Sequence, residues 1–413
     1  MGSTVRRPSL TAWIFIAMAG GIVAGILWPA TARRLWPISN VFLRLIQSII
    51  APLLFGTVVH GMAGNGERRR MGWIGLKAIV YFLVVTAIAL FLGLAAANLA
   101  RPGEGIRIRQ NAAERAPAQP VSTVGSALEN IFPVSVIDAM ARGDVLQIMV
   151  FSLLFGAACA AIGPKARPVV SFAESLAEVM FRYTKYVMVL APLGVFAALA
   201  ATIGSQGLAV LSGLGKLIAT LYLALLVFVV LVLGAVMALA RIPLKKFYES
   251  VRQPFLIAFS TASSNAALPR ALENMGRFGV PKHIVALVLP AGYSFNLEGS
   301  TLYLPLAAVF VAQSAGIELT LTEQMLLFST LMLTSKGVAG VPRASLVVLT
   351  GAAASFRLPF EGVAMLLGVD AVMDMGRTSV NVLGNCLAAA VVARWEGVKF
   401  AGSGDRAAPL EKA

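Results

Sequence analysis

The chain has 413 residues, of which 58% are hydrophobic and 13% charged, and its mean hydropathy is +0.82. Soluble domains carry roughly a quarter charged residues, so this composition excludes a soluble fold and predicts an all-α polytopic membrane protein. The net charge of +15 comes from basic residues scattered between apolar runs, which fits membrane topology and offers no nucleic-acid face.

The first apolar run, Trp13 to Trp28, follows Arg6 and Arg7 and precedes Ala30, Thr31 and Ala32. That order resembles a cleaved signal peptide, but the run is long for a signal core and further spans follow at once, so a spanning helix is expected. Apolar segments fall at about 12–29, 40–64, 73–99, 145–163, 171–203 and 208–240, against the ~20 residues that a spanning helix needs. The connections Gly66–Arg70, Pro164–Arg167 and Arg241–Lys246 are basic, whereas Gly316–Gln324 contains neither Lys nor Arg. Placing the basic connections inside puts the amino terminus in the cytoplasm and the Pro- and Gly-rich stretch 101–125 outside. Cys159 and Cys386 lie in apolar sequence and read as packing residues, and two histidines, His60 and His283, are too few for a histidine-based metal cluster.

The last 170 residues have a different texture. Polar residues interrupt the apolar runs at Ala258–Arg270 (AFSTASSNAALPR), Gly292–Ser300 (GYSFNLEGS), Thr334–Ser345 (TSKGVAGVPRAS) and Asp370–Asn385 (DAVMDMGRTSVNVLGN). Irregular backbone at membrane depth must be buried in protein or line a wet cavity. Polar tip, broken helix, polar tip and polar helix read as two repeats of a re-entrant hairpin followed by a spanning helix, the arrangement of a transporter's binding site. An intramembrane hydrolase built on Ser263 or Ser264 fails chemically, since the run has no G-x-S-x-G elbow and neither histidine sits in a polar motif.

In the last of these segments Asp370, Asp374, Arg377, Asn381 and Asn385 are spaced by four, three, four and four residues. On a helix they occupy an arc of roughly 80°. An ionised side chain at the bilayer centre costs roughly 2.5–3.5 kcal/mol on insertion scales, so three of them must pair or face water. Asp374 and Arg377 can pair at i,i+3 as a purely structural bridge. Two acids, an arginine and two amides exceed what one bridge needs, and a ligand carrying both charge signs would satisfy them.

These stretches, together with Phe42–Gly64 (FLRLIQSIIAPLLFGTVVHGMAG) in the second span, resemble the dicarboxylate/amino acid:cation symporters, the glutamate transporter family, over nearly the whole chain. The closest likeness in motif is to its proton-coupled bacterial glutamate/aspartate members. The resemblance implies eight transmembrane helices and two re-entrant helical hairpins in inverted repeats. It further implies a homotrimer in the bacterial inner membrane, with both termini cytoplasmic and each subunit working as an elevator. In this chain the parts would be scaffold helices 1–2 at residues 1–72, helix 3 and the external loop at 73–144, and scaffold helices 4–5 with helix 6 at 145–246. The transport core of hairpin 1, helix 7, hairpin 2 and helix 8 would be 247–400, with a cytoplasmic tail at 401–413.

Residue by residue, the resemblance gives Arg377 the substrate's side-chain carboxylate, a task that suits a planar guanidinium, and gives Asp374 the ammonium. Thr378 and Asn381 match polar contacts beside them, and Ser300 stands where threonine is common. Ser263 and Ser264, with Gly340 and Val341, match the hairpin tips around the α-carboxylate, where helix N-termini favour an anion. Retention of Asp374 favours glutamate or aspartate over a C4-dicarboxylate, which has no ammonium.

The cation positions match less well. Thr86, Gly292, Asn296, Glu298, Asp370 and Asn385 fall where the family binds its coupling ions. However, Val85, Leu297, Glu298 and Asn385 replace a threonine, a methionine and two aspartates, and Lys336 adds positive charge nearby. Hard cations need oxygen ligands, so these changes favour a proton over sodium, with no cofactor and no assigned metal site. Buried carboxyls can hold protons near neutral pH, which makes Glu298 and Asp370 the candidate carriers. Asp370 is either a permanent partner of a nearby cation or a carrier; Ala262 and Met375, where relatives place an extra arginine, favour an unpaired Asp370. The expected function is proton-coupled import of acidic amino acids, with C4-dicarboxylate symport, sodium coupling and a passive anion channel as alternatives.

Overall fold

A computed structural model describes residues 10–63, 69–106, 132–142, 145–207, 209–335, 344–356 and 358–400. The regular structure of these residues is helical throughout. The chain opens with α1 (Leu10–Leu27), the short α2 (Pro29–Arg33), α3 (Trp36–Ala63) and α4 (Arg69–Ala100). There follow α5 (Val136–Arg142), α6 (Val145–Ile162), α7 (Arg167–Val189) and α8 (Ala191–Gln206). Helix α9 (Ala209–Val227) runs through a π-helical turn, Phe228–Leu233, into α10 (Gly234–Leu239).

The remaining helices are α11 (Leu244–Thr261), α12 (Ser264–Phe278), α13 (Lys282–Phe295), α14 (Glu298–Ser314), α15 (Leu321–Thr334), α16 (Ala344–Ser355) and α17 (Phe360–Trp395). Among the described residues, Pro29–His60, Trp73–Ala100, Val150–Val189, Val210–Leu239 and Lys282–Ser314 are long and apolar enough to cross a membrane. Ala12–Leu27, Ala191–Ser205 and Ser345–Ser355 are shorter apolar helices. Large apolar side chains such as Trp13, Phe91, Leu223 and Leu231 point outward, a pattern water would oppose and lipid favours.

The run expected as one span over 171–203 is two helices. Helix α7 ends at Leu190, and Pro192 in the first turn of α8 has no N–H to continue the ladder. Helix α7 buries Ala173, Ala177, Met180, Thr184 and Val187, a stripe of alternating four- and three-residue steps, and packs along α3. Helix α1 lies along α8, and α3 also meets α6 and α8.

Helices α14 and α17 cross at the centre. Both are buried along almost their whole length, so the polar side chains they carry must find partners within the protein. Around them pack α4, α9, α11, α12, α13 and α16. Helices α11 and α12 lie against each other and both contact α17. Their junction turns at Ala262, which takes a left-handed conformation (φ 47°, ψ 39°), and Ser263 caps α12 by accepting the Ala266 N–H at 3.4 Å.

Candidate functional site

The break between α13 and α14 comes first, because it positions everything else. Asn296 and Leu297 leave helical geometry (φ −133°, ψ 81° and φ −110°, ψ 63°), which frees backbone donors at the start of α14 in a region without water. Asn381 on α17 meets them. Its Oδ1 accepts the N–H groups of Gly299 at 2.8 Å and Ser300 at 3.2 Å, and its Nδ2 donates to Ser300 Oγ at 3.1 Å. Gly299 lies against the Arg377 backbone so closely that a Cβ there would overlap the Arg377 carbonyl.

One turn of α17 away, Arg377 is completely buried. Its Nη2 donates to Asp370 Oδ1 at 2.7 Å and to Asp374 Oδ1 at 3.0 Å. Thr378 Oγ1 donates to the same Asp374 oxygen at 3.4 Å. The guanidinium carbon stands 4.0 Å from the Tyr303 ring centroid, a cation–π distance at which a desolvated arginine gains about 2 kcal/mol. Nη2 alone serves both acids; Nε and Nη1 have no hydrogen-bond partner among the described residues. Two acids and one guanidinium stand together here, and the N–H groups of Nε and Nη1 remain able to donate to an anion.

The second cluster lies at the helix break. Asn296 Nδ2 donates to Glu298 Oε1 at 2.8 Å and to Asn385 Oδ1 at 3.1 Å, and all three residues are buried. Two glycines make the space. A Cβ at Gly384 would overlap the Glu298 carboxylate, and one at Gly292 would overlap the Asn385 amide. Thr86 is buried on α4, the helix along which α14 packs. The donor set is one carboxylate with amide oxygens. Among the described residues no three His, Cys, Asp or Glu side chains cluster to hold a metal ion. Glu298, Gly299 and Ser300 are consecutive, so the two clusters communicate through a single turn of backbone.

The structure therefore brings together Asp370, Asp374, Arg377, Thr378, Asn381 and Ser300 in one group, and Gly292, Asn296, Glu298 and Asn385 in another. Ser263 and Ser264 sit at the α11–α12 junction on helices that pack against α17. Gly340, Val341 and Lys336 lie outside the described residues, as do most of the stretch 101–125 and the tail 401–413. The preference for an unpaired Asp370 is corrected: Arg377 is its partner. Seven residues make nearly two full turns, so Asp370 and Arg377 share a face and the long arginine side chain spans the gap. Tyr303 is a site residue that the sequence reading missed; it lies on α14 three residues beyond the polar stretch Gly292–Ser300.

Among the described residues, helical structure with apolar spans and charged residues paired at the centre is consistent with a membrane transporter. The chain belongs to the sodium:dicarboxylate symporter family, whose profile matches residues 10–395, a family of transporters and not of enzymes. It is 40% identical over 403 residues to the proton/sodium-glutamate symport protein of Bacillus caldotenax, covering 95% of this chain and 96% of that one. It is 41% identical over 388 residues to the proton/glutamate-aspartate symporter of Bacillus subtilis (strain 168), covering 93% and 94%. It is also 42% identical over 397 residues to the C4-dicarboxylate transport protein of Anaeromyxobacter sp. (strain K), covering 94% and 90%.

Proposed function

We propose that this protein is a secondary active symporter that imports glutamate or aspartate together with protons. The observation that carries this reading is the buried Asp370–Arg377–Asp374 cluster. Arg377 binds the side-chain carboxylate of the substrate, Asp374 its ammonium, and the tips at Ser263–Ser264 and Gly340–Val341 its α-carboxylate. An acidic amino acid is itself a net anion, and charge at membrane depth is costly. A co-transported positive charge offsets that penalty. Glu298 is the better proton carrier of the two candidates, because Asp370 is engaged with Arg377.

The architecture that accompanies this reading is eight spanning helices and two re-entrant hairpins, α11–α12 and α15–α16. It is a homotrimer in the inner membrane with cytoplasmic termini, and its transport core of residues 247–400 slides as an elevator. A second reading, C4-dicarboxylate symport, draws on the similarity to the Anaeromyxobacter protein. It leaves Asp374 without a ligand group to bind.

Uptake into proteoliposomes with sodium and pH gradients imposed separately tests the proposal. Labelled glutamate should accumulate under an inward proton gradient and be indifferent to replacement of sodium by choline, with excess succinate competing weakly. Uptake that stops in choline at constant pH would assign sodium as the coupling ion, and succinate competing as well as glutamate would favour the dicarboxylate reading.

A further inference from the structure

Behind the charged turn of α17 stands a residue that none of the polar motifs contains. Tyr222 on α9 donates its hydroxyl to the Val372 carbonyl at 2.7 Å. Its ring fills the notch left by Gly376, where a Cβ would come within 2.9 Å of Cε1 and 3.0 Å of Cζ. Leu225, one turn further along α9, closes the same notch at 3.3 Å. Val372 and Gly376 are one helical turn apart, with Asp374 midway between them and Arg377 next in sequence. At about 100° per residue, positions 372 and 376 both point roughly 160° away from 374. One phenol thus supports the turn from the face opposite the Asp374 carboxylate. A helix carbonyl has a second lone pair, so it can accept this part-buried bond in addition to its place in the helix ladder.

We propose that Tyr222 is a positioning residue for substrate selection: it fixes the rotational setting of the 372–376 turn and so the direction in which Asp374 projects into the site. The inference rests on the reading of Asp374 as the ammonium partner. Aspartate has a short side chain that cannot compensate for a rotated backbone, whereas the long arginine side chain can. Loss of the phenol should therefore weaken ligands that use Asp374 more than ligands that use Arg377 alone.

The test compares glutamate and succinate binding to the purified full-length protein for wild type, Tyr222→Phe and Asp374→Ser. Tyr222→Phe keeps the ring in its notch and removes only the hydroxyl. Glutamate affinity should fall about fivefold, the effect of losing one hydrogen bond, and succinate affinity less than about twofold on the same scale. Gly376→Ala, which drives the ring out of its notch, should reproduce that selectivity with a larger glutamate loss. A general effect on folding would lower thermal stability and leave the glutamate-to-succinate ratio unchanged, and that outcome overturns the proposal. If Asp374→Ser is selective and Tyr222→Phe is not, the positioning role falls alone. If Asp374→Ser weakens both ligands equally while Tyr222→Phe leaves their ratio unchanged, the ammonium reading and the positioning role fall together.

Discussion

Arg377→Ala is expected to abolish glutamate and aspartate uptake. Truncating one partner of a buried, hydrogen-bonded charge pair costs about 2–5 kcal/mol of binding, which corresponds to a loss of roughly thirtyfold to several thousandfold. Slow transport of small neutral amino acids should remain, because Asp374 still accepts an ammonium. The substitution also takes away the Nη2 that Asp370 and Asp374 share, and breaking a buried ion pair by removing one partner costs about 3–5 kcal/mol of stability. Arg377→Ala combined with Asp370→Asn removes half of that burden, so it separates loss of binding from loss of fold. Binding and uptake measured on a monodisperse preparation decide the matter: undiminished glutamate transport by either variant would remove Arg377 from the site.

The second large effect is expected at Glu298. Glu298→Gln preserves shape and can still accept the Asn296 Nδ2 bond of 2.8 Å, but it holds no transferable proton. Exchange of external for internal glutamate should persist, while accumulation driven by an inward proton gradient should be lost. Gly384→Ala, whose new Cβ would overlap the Glu298 carboxylate, should lose accumulation as well by displacing the same group. Full gradient-driven accumulation by Glu298→Gln would show that the proton travels elsewhere, with Asp370 the remaining candidate.

Both sites were partly written in the chain. The four- and three-residue spacings from Asp370 to Asn385 placed the polar stripe on one helical face, and its residues are buried together on α17. The pairing of Asp370 with Arg377 was implicit in the same spacing, yet Ala262 and Met375, where relatives place an extra arginine, suggested that Asp370 had no partner. Tyr303 and Tyr222 were not legible, because an aromatic residue in an apolar helix carries no local sign of the helix that will cross it. The glycines at 299, 376 and 384 have the same character, as has the packing role of Gly292, which the resemblance marked only as a cation position. Each matters because of an atom from a distant helix, and only the packing of α9, α13 and α14 against α17 shows which atom that is. The break at Leu190 was legible in principle, since Pro192 announces it, but the apolar composition on either side obscured it.

The shared use of Nη2 limits how an anion can bind Arg377. A guanidinium offers two edges on which a carboxylate can rest both oxygens, one formed by Nε with Nη2 and the other by Nη1 with Nη2. Nη2 belongs to both edges, and here it already holds Asp370 and Asp374. A carboxylate that binds in the bidentate manner must therefore take the place of one of the protein's own acids. If Arg377 holds the substrate carboxylate as proposed, loading in that manner exchanges one anion for another, and the affinity measures the difference between the two contacts.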